Sequence, residues 1–304
     1  MPENQPSDVG PVDDRPALVI PYWTAPLVPG GPPDDGSQRP LSAPVVSWLC
    51  PAIRALTPYE PGAELTVQVD IVNWGLGNAT ALPIVTVWWM DPSTGFAAMG
   101  PSNRVGLCVV PVDPRGGTAS TPAMTTAIPP TAPPHVCLLA CVSHPDDQAG
   151  SLPDPIGDRH WAQHNLAVVT VQPGQSMIGF SFWAVSPYRQ QAVFEVRVRQ
   201  VTHEALVSVA RIVRAEPVRT EVRLALREAG EMLAPGRAGA DEKRRDGRLQ
   251  LALEGGARRP VYLQVELGSA LRPGQFTAVE VVQLDVRRER ATGSVGVVVT
   301  TRAR

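Results

Sequence analysis

Apolar and polar residues alternate one by one along many short stretches of this chain, and each stretch ends at proline, glycine, serine or aspartate. In "ELTVQVDIVNWG", Leu65, Val67, Val69 and Ile71 share one face, while Glu64, Thr66, Gln68 and Asp70 share the other. A two-residue period marks a half-buried strand, because successive side chains of extended backbone point to opposite sides. The period returns in "VFEVRVRQV", with Phe194, Val196 and Val198 inward and Glu195, Arg197 and Arg199 outward. It returns again in "PVYLQVEL", where Val261, Leu263, Val265 and Leu267 share a face. "PIVTVWWMDPSTG", "RVGLCVVPVDPRGG", "VEVVQLDVRRE" and "SVGVVVTTR" read as further strands. Pro111 and Pro114 limit the second of these to an edge or a short run. "HVCLLACVSH" is nearly continuous in apolar residues, as a strand near the centre of a sandwich would be. "NLAVVTVQPG" is expected to close the first domain.

One stretch fits two patterns. In "TEVRLALREAGEMLAPG", Val222, Leu224 and Leu226 suit a strand, whereas Val222, Leu226, Ala229 and Leu233 suit a helix capped by Gly236. A strand running into a loop over residues 220–236 is the preferred reading. "AGADEKRRDGR" reads as a charged, solvated loop tip.

These elements predict an all-β protein of two tandem immunoglobulin-like β-sandwiches preceded by a proline-rich, extended N-terminal arm. The arm spans residues 1–45, the first sandwich 46–172 and the second 173–304. The chain's 304 residues suit two domains, and its 33 prolines and 26 glycines punctuate short strands rather than long helices. The arm holds eleven prolines and six acidic against two basic residues, too little apolar surface for a core of its own. It reads either as a loose tail with one adhesive segment or as an arm docking through Val19, Ile20, Tyr22 and Trp23 onto its own body or a neighbour.

Charge narrows the partners. The net charge is −2, so no global field draws the chain to nucleic acid or an anionic membrane. The late arginines, from Arg197 to Arg290, lack interleaved aromatics and read as a solvated strand face. No apolar run is long enough to cross a bilayer, and "MPENQPSDVGPVDDRPA" lacks the basic start and apolar core of a secretory signal. The expectation is a protein made in the cytoplasm, with signal-independent export or particle assembly left open. Cys50, Cys108, Cys137 and Cys141 are expected to stay reduced. Cys137 and Cys141 on one strand would lie about 13 Å apart, beyond disulfide reach.

The first domain resembles a known family. "YEPGAELTVQVDIVNWGLGNATALPIVTVWW" is similar to the opening of the bacterial cell-adhesion-related immunoglobulin-like modules called CARDB. The matches are Pro61–Gly62, Asn73 with Gly75, Ala79, and the strand through Val85 and Val87. "CLLACVSHPDD", and Asn165 before "LAVVTV", fit that family's later half. The loop between them is longer than in the family and carries "DRHWAQHN" where relatives show acidic and Asn residues. The resemblance implies an immunoglobulin-like fold over roughly residues 46–172; no function is inherited from such a fold. The second domain is similar only to generic immunoglobulin- or fibronectin-like sandwiches.

That loop, "HPDDQAGSLPDPIGDRHWAQHN", concentrates three of the five histidines. His160 and His164 stand four apart, so a helical turn would put both on one face. A third metal ligand would come from His144, Asp146, Asp147 or Asp158. A zinc protease would need Glu beside the first His, and Trp161 stands there. Asp146, Asp147, Asp154 and Asp158 supply oxygens for calcium, without EF-hand spacing. The preferred reading is a polar connection in which Asp and Pro make turns, Trp161 packs on the sandwich end, and Asp158 or Asn165 binds backbone amides. No nucleophile elbow, phosphate loop or dinucleotide fingerprint is present. Trp88 and Trp89, adjacent in a strand, must face opposite sides. With Tyr22, Trp23, Trp74 and Trp161 they are the candidate interaction residues.

The leading expectation is therefore a non-catalytic structural or interaction protein without a cofactor, binding a protein partner or itself. A part in a bacterial surface, phage-like or injection-type assembly is one form of it. The alternatives are a carbohydrate-binding module using exposed Trp and a metal-dependent enzyme using the His144–His164 loop.

Overall fold

A computed structural model describes residues 13–24, 31–96, 99–166, 168–172, 174–228 and 247–301. These residues are predominantly β, as the alternation predicts, with a single α-helix among them. The first half contributes β1 (Leu18–Val19), β2 (Ile53–Ala55), β3 (Glu64–Asn73), β4 (Ile84–Met90), β5 (Arg104–Val109), β6 (Gly117–Ser120), β7 (Met124–Ala127), β8 (Cys137–Ser143) and β9 (Trp161–Asn165). The second half contributes β10 (Val168–Val171), β11 (Met177–Val185), β12 (Ala192–Gln200), α1 (His203–Val213), β13 (Glu216–Pro217), β14 (Val222–Glu228), β15 (Arg248–Leu253), β16 (Arg258–Leu267), β17 (Gln275–Asp285) and β18 (Arg290–Thr301).

Each half is a pair of sheets with a shared apolar core. In the first, β1, β2, β6 and β7 all pair with β3, and the facing sheet runs β5-β4-β8-β9. Leu65, Val67, Val69 and Ile71 of β3 are fully buried against Val85 and Val87 of β4 and Leu138 and Ala140 of β8. In the second, β10-β18-β17-β12-β15, with β13 beside β17, faces β11-β16-β14. Phe180, Phe182, Phe194, Leu263, Val281 and Val297 fill the space between.

Two features depart from the sequence reading. The strand expected over "NLAVVTV" divides: β9 pairs with β8, whereas β10 pairs in parallel with β18 of the second half. Alternation reports which face is buried but not which open edge will accept a strand's backbone groups. The helix α1 was not expected. Thr202 caps it by accepting the Ala205 N–H at 3.4 Å, Glu204 stands in its first turn, and Arg214 ends it at φ 53°. Its inward residues Ala205, Leu206 and Val209 follow the helical period. In the ambiguous stretch, Val222–Glu228 is a strand, the preferred of its two readings; Ala229, Leu233 and Gly236 lie outside the described residues.

The described part of the N-terminal segment lies against the first half. Leu18 and Val19 pair antiparallel with Asn73 and Val72. The Tyr22 hydroxyl donates to Ser47 O at 2.8 Å and accepts the Gln163 N–H at 3.1 Å. A buried bidentate pair, Arg39 to Asp34 with both contacts at 3.0 Å, stands beside the Tyr22 and Trp23 rings.

Residues 46–49 then join the halves. Trp48 lies in a cluster with Leu206 of α1, Phe276 of β17 and Val298 of β18. Its indole packs so closely on Gly296 that any Cβ there would overlap the ring. Around it, the Ser47 and Ser294 hydroxyls bond at 2.7 Å, Gln163 Nε2 donates to Ser294 O at 2.9 Å, and Asn165 Nδ2 donates to Gly296 O.

The four thiols are free, and burial pushes Cys50, Cys137 and Cys141 up to about 12. Only thiolates react with disulfide reagents. In the native protein near pH 8, we expect only half-buried Cys108 to be labelled by a chromogenic aromatic disulfide, and all four thiols in urea. Rapid native labelling of more than one thiol per chain would contradict this packing.

Candidate functional site

The His- and Asp-rich connection between β8 and β9 builds a compact charged cluster, but not the one that spacing proposed. His160 precedes β9 and His164 lies within it, so the backbone between them is extended rather than helical. Four strand residues span about 13 Å, which keeps the two imidazoles apart. His164 is buried, and its Nδ1 donates to Cys50 O at 2.7 Å. Burial lowers its pKa. His144 closes a tight turn with Asp147, and its Nδ1 accepts the Asp146 N–H at 3.2 Å. Asp154 accepts the Gly157 N–H at 2.8 Å and meets Arg290 at 3.0 Å.

Three of the candidates do converge. His160 Nδ1 is 2.7 Å from Asp158 Oδ1, and its Nε2 is 3.1 Å from Asp147 Oδ1. Nδ1 shares a hydrogen bond with Asp158, whereas Nε2 meets Asp147 as a charge contact without hydrogen-bond geometry, and a carboxylate beside each nitrogen favours the imidazolium. Burial alone would lower the His160 pKa, but the two carboxylates outweigh it and the net direction is up. Burial would likewise raise Asp147 and Asp158. The neighbouring His160, which hydrogen-bonds Asp158 and stands as a charge beside Asp147, prevails together with the backbone amides, and both titrate below the usual carboxylate range. Arg159 adds a second cation, 2.6 Å from Asp147 Oδ1. Two anions thus meet two cations, and the carboxylates sit on opposite edges of the ring rather than around a common point. Among the described residues, no group of three His, Cys, Asp or Glu side chains is arranged to hold a metal ion.

What the cluster grips is backbone. Asp147 Oδ2 accepts the Leu18 N–H at 2.6 Å, Arg159 Nε donates to Leu18 O at 3.1 Å, and Arg159 O accepts the Ile20 N–H at 3.2 Å. The loop clasps β1 beside β3. Asp158 also accepts the Gly150 N–H at 2.8 Å, and Trp161 Nε1 donates to Gly150 O at 3.2 Å. No sequence signal links the loop to Leu18, because the bond goes to a main-chain amide that any residue carries.

The candidate aromatics are largely engaged within the chain. Tyr22, Trp23 and Trp161 are buried. Trp74 Nε1 donates to Asp34 O at 3.0 Å, and its ring lies against Gly116, whose φ of 84° places it in the left-handed region. Trp88 and Trp89 face opposite sides and are both half-buried. Trp88 stacks on Trp161 at 6.1 Å between ring centroids, and Trp89 packs toward the first core.

Sequence reasoning missed a cleft between the halves. Trp89 and Asp91 from the end of β4 face Trp183 of β11 and Arg258 of β16 across a cavity of about 410 Å³. Each residue looks ordinary in its own strand; only the docking of the halves brings them together.

No known family model matches the chain, and no curated protein matches it. Among solved structures it aligns with a point mutant of the CFA/I adhesin CfaE of enterotoxigenic E. coli, at 9% identity and a TM-score of 0.25, over 96% of this chain and 88% of that one. It also aligns with Escherichia coli alpha-2-macroglobulin activated by porcine elastase, at 12% identity and a TM-score of 0.25, over 86% of this chain and 22% of that one. Scores this low say nothing about the role of this chain. Among the described residues, no helix is long and apolar enough to cross a membrane.

Proposed function

We propose that this chain is a non-catalytic interaction protein, built from two immunoglobulin-like β-sandwiches in tandem behind a proline-rich arm. The first sandwich is of the CARDB type, and the chain assembles with copies of itself through the outer side of β5. The CARDB reading is supported by the Asn73–Gly75 turn, where Asn73 Oδ1 accepts the N–H groups of Gly75 at 2.9 Å and Ala17 at 3.0 Å.

One observation carries the assembly reading. β5 ends its sheet, and among the described residues no strand pairs with its outer edge. A register shift opposite Trp88 turns Val105 into the core and leaves Leu107 and Val109 outward, beside Ile84 of β4. Leu107 and Val109 are each 53% exposed and Ile84 45%. The far end of the sheet is treated differently. There residues 48–50 cover β9 through Asn165 N–H to Trp48 O at 2.7 Å and Cys50 N–H to Gln163 O at 2.8 Å. An open strand edge bearing adjacent apolar side chains is a template for pairing with another chain.

The test is light scattering on the purified chain. The wild type should associate at tens of micromolar. Leu107→Lys and Val109→Lys should shift it to monomer without lowering the melting temperature, since both side chains are exposed. A wild type monomeric at about 100 µM, which corresponds to a self-affinity weaker than roughly −5.5 kcal/mol, would remove this reading.

A further inference from the structure

We propose that the cleft between the halves is a saccharide-binding site, with Trp89 and Trp183 as ring platforms and Asp91, Asn103 and Arg258 as hydroxyl partners. The inference stands apart from assembly through β5, which uses other residues.

The cleft is a constructed feature rather than a gap left by poor docking. The segment after β4 is stitched to β11 of the other half. Trp183 N–H donates to Pro92 O at 2.9 Å, Thr94 N–H donates to Trp183 O at 3.0 Å, and Ser93 bridges Trp183 in parallel. Behind this seam Thr94 Oγ1 bonds Gln283 Oε1 at 2.7 Å, and Gln283 Nε2 donates to Val185 O at 2.8 Å. The backbone beneath the cleft is thereby held from both halves before any ligand arrives, which lowers the ordering cost of binding. A cavity of about 410 Å³ lies within the range usual for small-ligand sites, and such sites favour domain junctions.

Its lining combines the two surfaces that a sugar ring presents. Trp89 and Trp183 are half-buried indoles that line the cleft, and indole is the side chain that suits the C–H side of a pyranose. Around them stand groups that bind hydroxyls. The Asp91 carboxylate accepts, the Arg258 guanidinium donates, and Asn103 keeps its amide NH2 to donate because its Oδ1 already accepts the Gly100 N–H at 3.0 Å. Arg258 lies over Trp183 at 4.4 Å and reaches Asp91 at 3.5 Å, so its position is set by both partners. One anion and one cation cancel. The cleft therefore has no charge preference, which selects neutral sugars over uronic or sialic acids. A second cavity of about 500 Å³ shares Asp91 and Trp183 and continues past Pro92 and Pro260, so a chain of several sugar units fits better than one ring.

Tryptophan fluorescence of the full chain reads binding directly. The probes are hexasaccharides of β-1,4-glucose, α-1,4-glucose, β-1,4-mannose, β-1,4-xylose and β-1,4-N-acetylglucosamine, with hexagalacturonate as the acidic comparison. The expected result is saturable quenching by at least one neutral probe, with a Kd on the order of 10 µM to 1 mM. Asp91→Ala and Trp183→Ala should each weaken it at least tenfold, and Val207→Lys on distant α1 should leave it unchanged. Asp91→Ala is the decisive variant if Trp183→Ala disturbs the seam, because the Asp91 side chain is solvent-facing. Silence from every neutral probe at about 10 mM, binding of the acidic probe alone, or full binding by Asp91→Ala would overturn the proposal.

Discussion

Replacing Trp48 with alanine is expected to lower stability by about 3–5 kcal/mol, the usual loss for a large buried aromatic. Trp48 is 1% exposed and fills the space between the first half, α1 and β18. Gly296 lacks a Cβ where the indole lies, so on that side there is no side chain to move into the void. One feature moderates the loss: among the described residues the buried Trp48 Nε1 has no hydrogen-bond partner. Trp48→Phe removes that unpaired donor and keeps most of the ring, so its loss should be only about 1 kcal/mol. Urea unfolding followed by far-UV circular dichroism measures both. The halves should unfold together in the wild type and in two transitions in Trp48→Ala, because this cluster is the apolar joint between them. An alanine variant within about 1 kcal/mol of wild type, unfolding in one step, would show that the joint lies elsewhere.

Asp147→Ala is expected to cost about 1–3 kcal/mol, the range for leaving a buried amide N–H without its acceptor. The Asp147 side chain is only 10% exposed. It accepts from the Leu18 amide and from Arg159 and stands as a charge beside His160, so its removal leaves the buried Leu18 N–H without an acceptor and takes an anion from both cations. Hydrogen exchange should locate the damage. Amides of residues 18–23 should lose protection in the variant, while those of β16 and β17 retain theirs. Unchanged exchange at Leu18 and Ile20 would show that the clasp does not hold β1.

The same cluster fixes a pH dependence. His160 titrates higher folded than unfolded, so its contribution is complete below its unfolded value near 6.5 and fades as pH rises through the raised folded value. Asp147 and Asp158 titrate lower folded than unfolded. Their contribution is complete above about 3.8 and is lost as pH falls through the lowered folded values. The clasp is therefore strongest in the mildly acidic window between these limits. Buried His164 acts oppositely on the acid side, since its lowered pKa means that protonation favours unfolding below its unfolded value near 6.5.

Much of the β framework was legible from particular residues. Leu65, Val67, Val69 and Ile71 lie buried on one side of β3, as their alternation requires, and the apolar run Cys137–Val142 sits between two strands with both faces covered. Helix α1 was legible too, in Thr202, Glu204 and the spacing of Leu206 and Val209. The loop was legible only as chemistry. His160, Asp147 and Asp158 were singled out, but an i, i+4 spacing has meaning only once helix or strand is known.

By itself, then, the order of side chains determined which segments become strands and which of their faces turn inward, since that depends on a period within a few consecutive residues and on water's exclusion of apolar groups. Tertiary structure alone decided that β10 joins β18, that Asp147 holds Leu18, that Trp48 lies on Gly296, and that Trp89 faces Trp183. Those pairings arise from backbone amides, glycines and indoles that carry no mark of their distant partners, so nothing local distinguishes them until the sheets have docked.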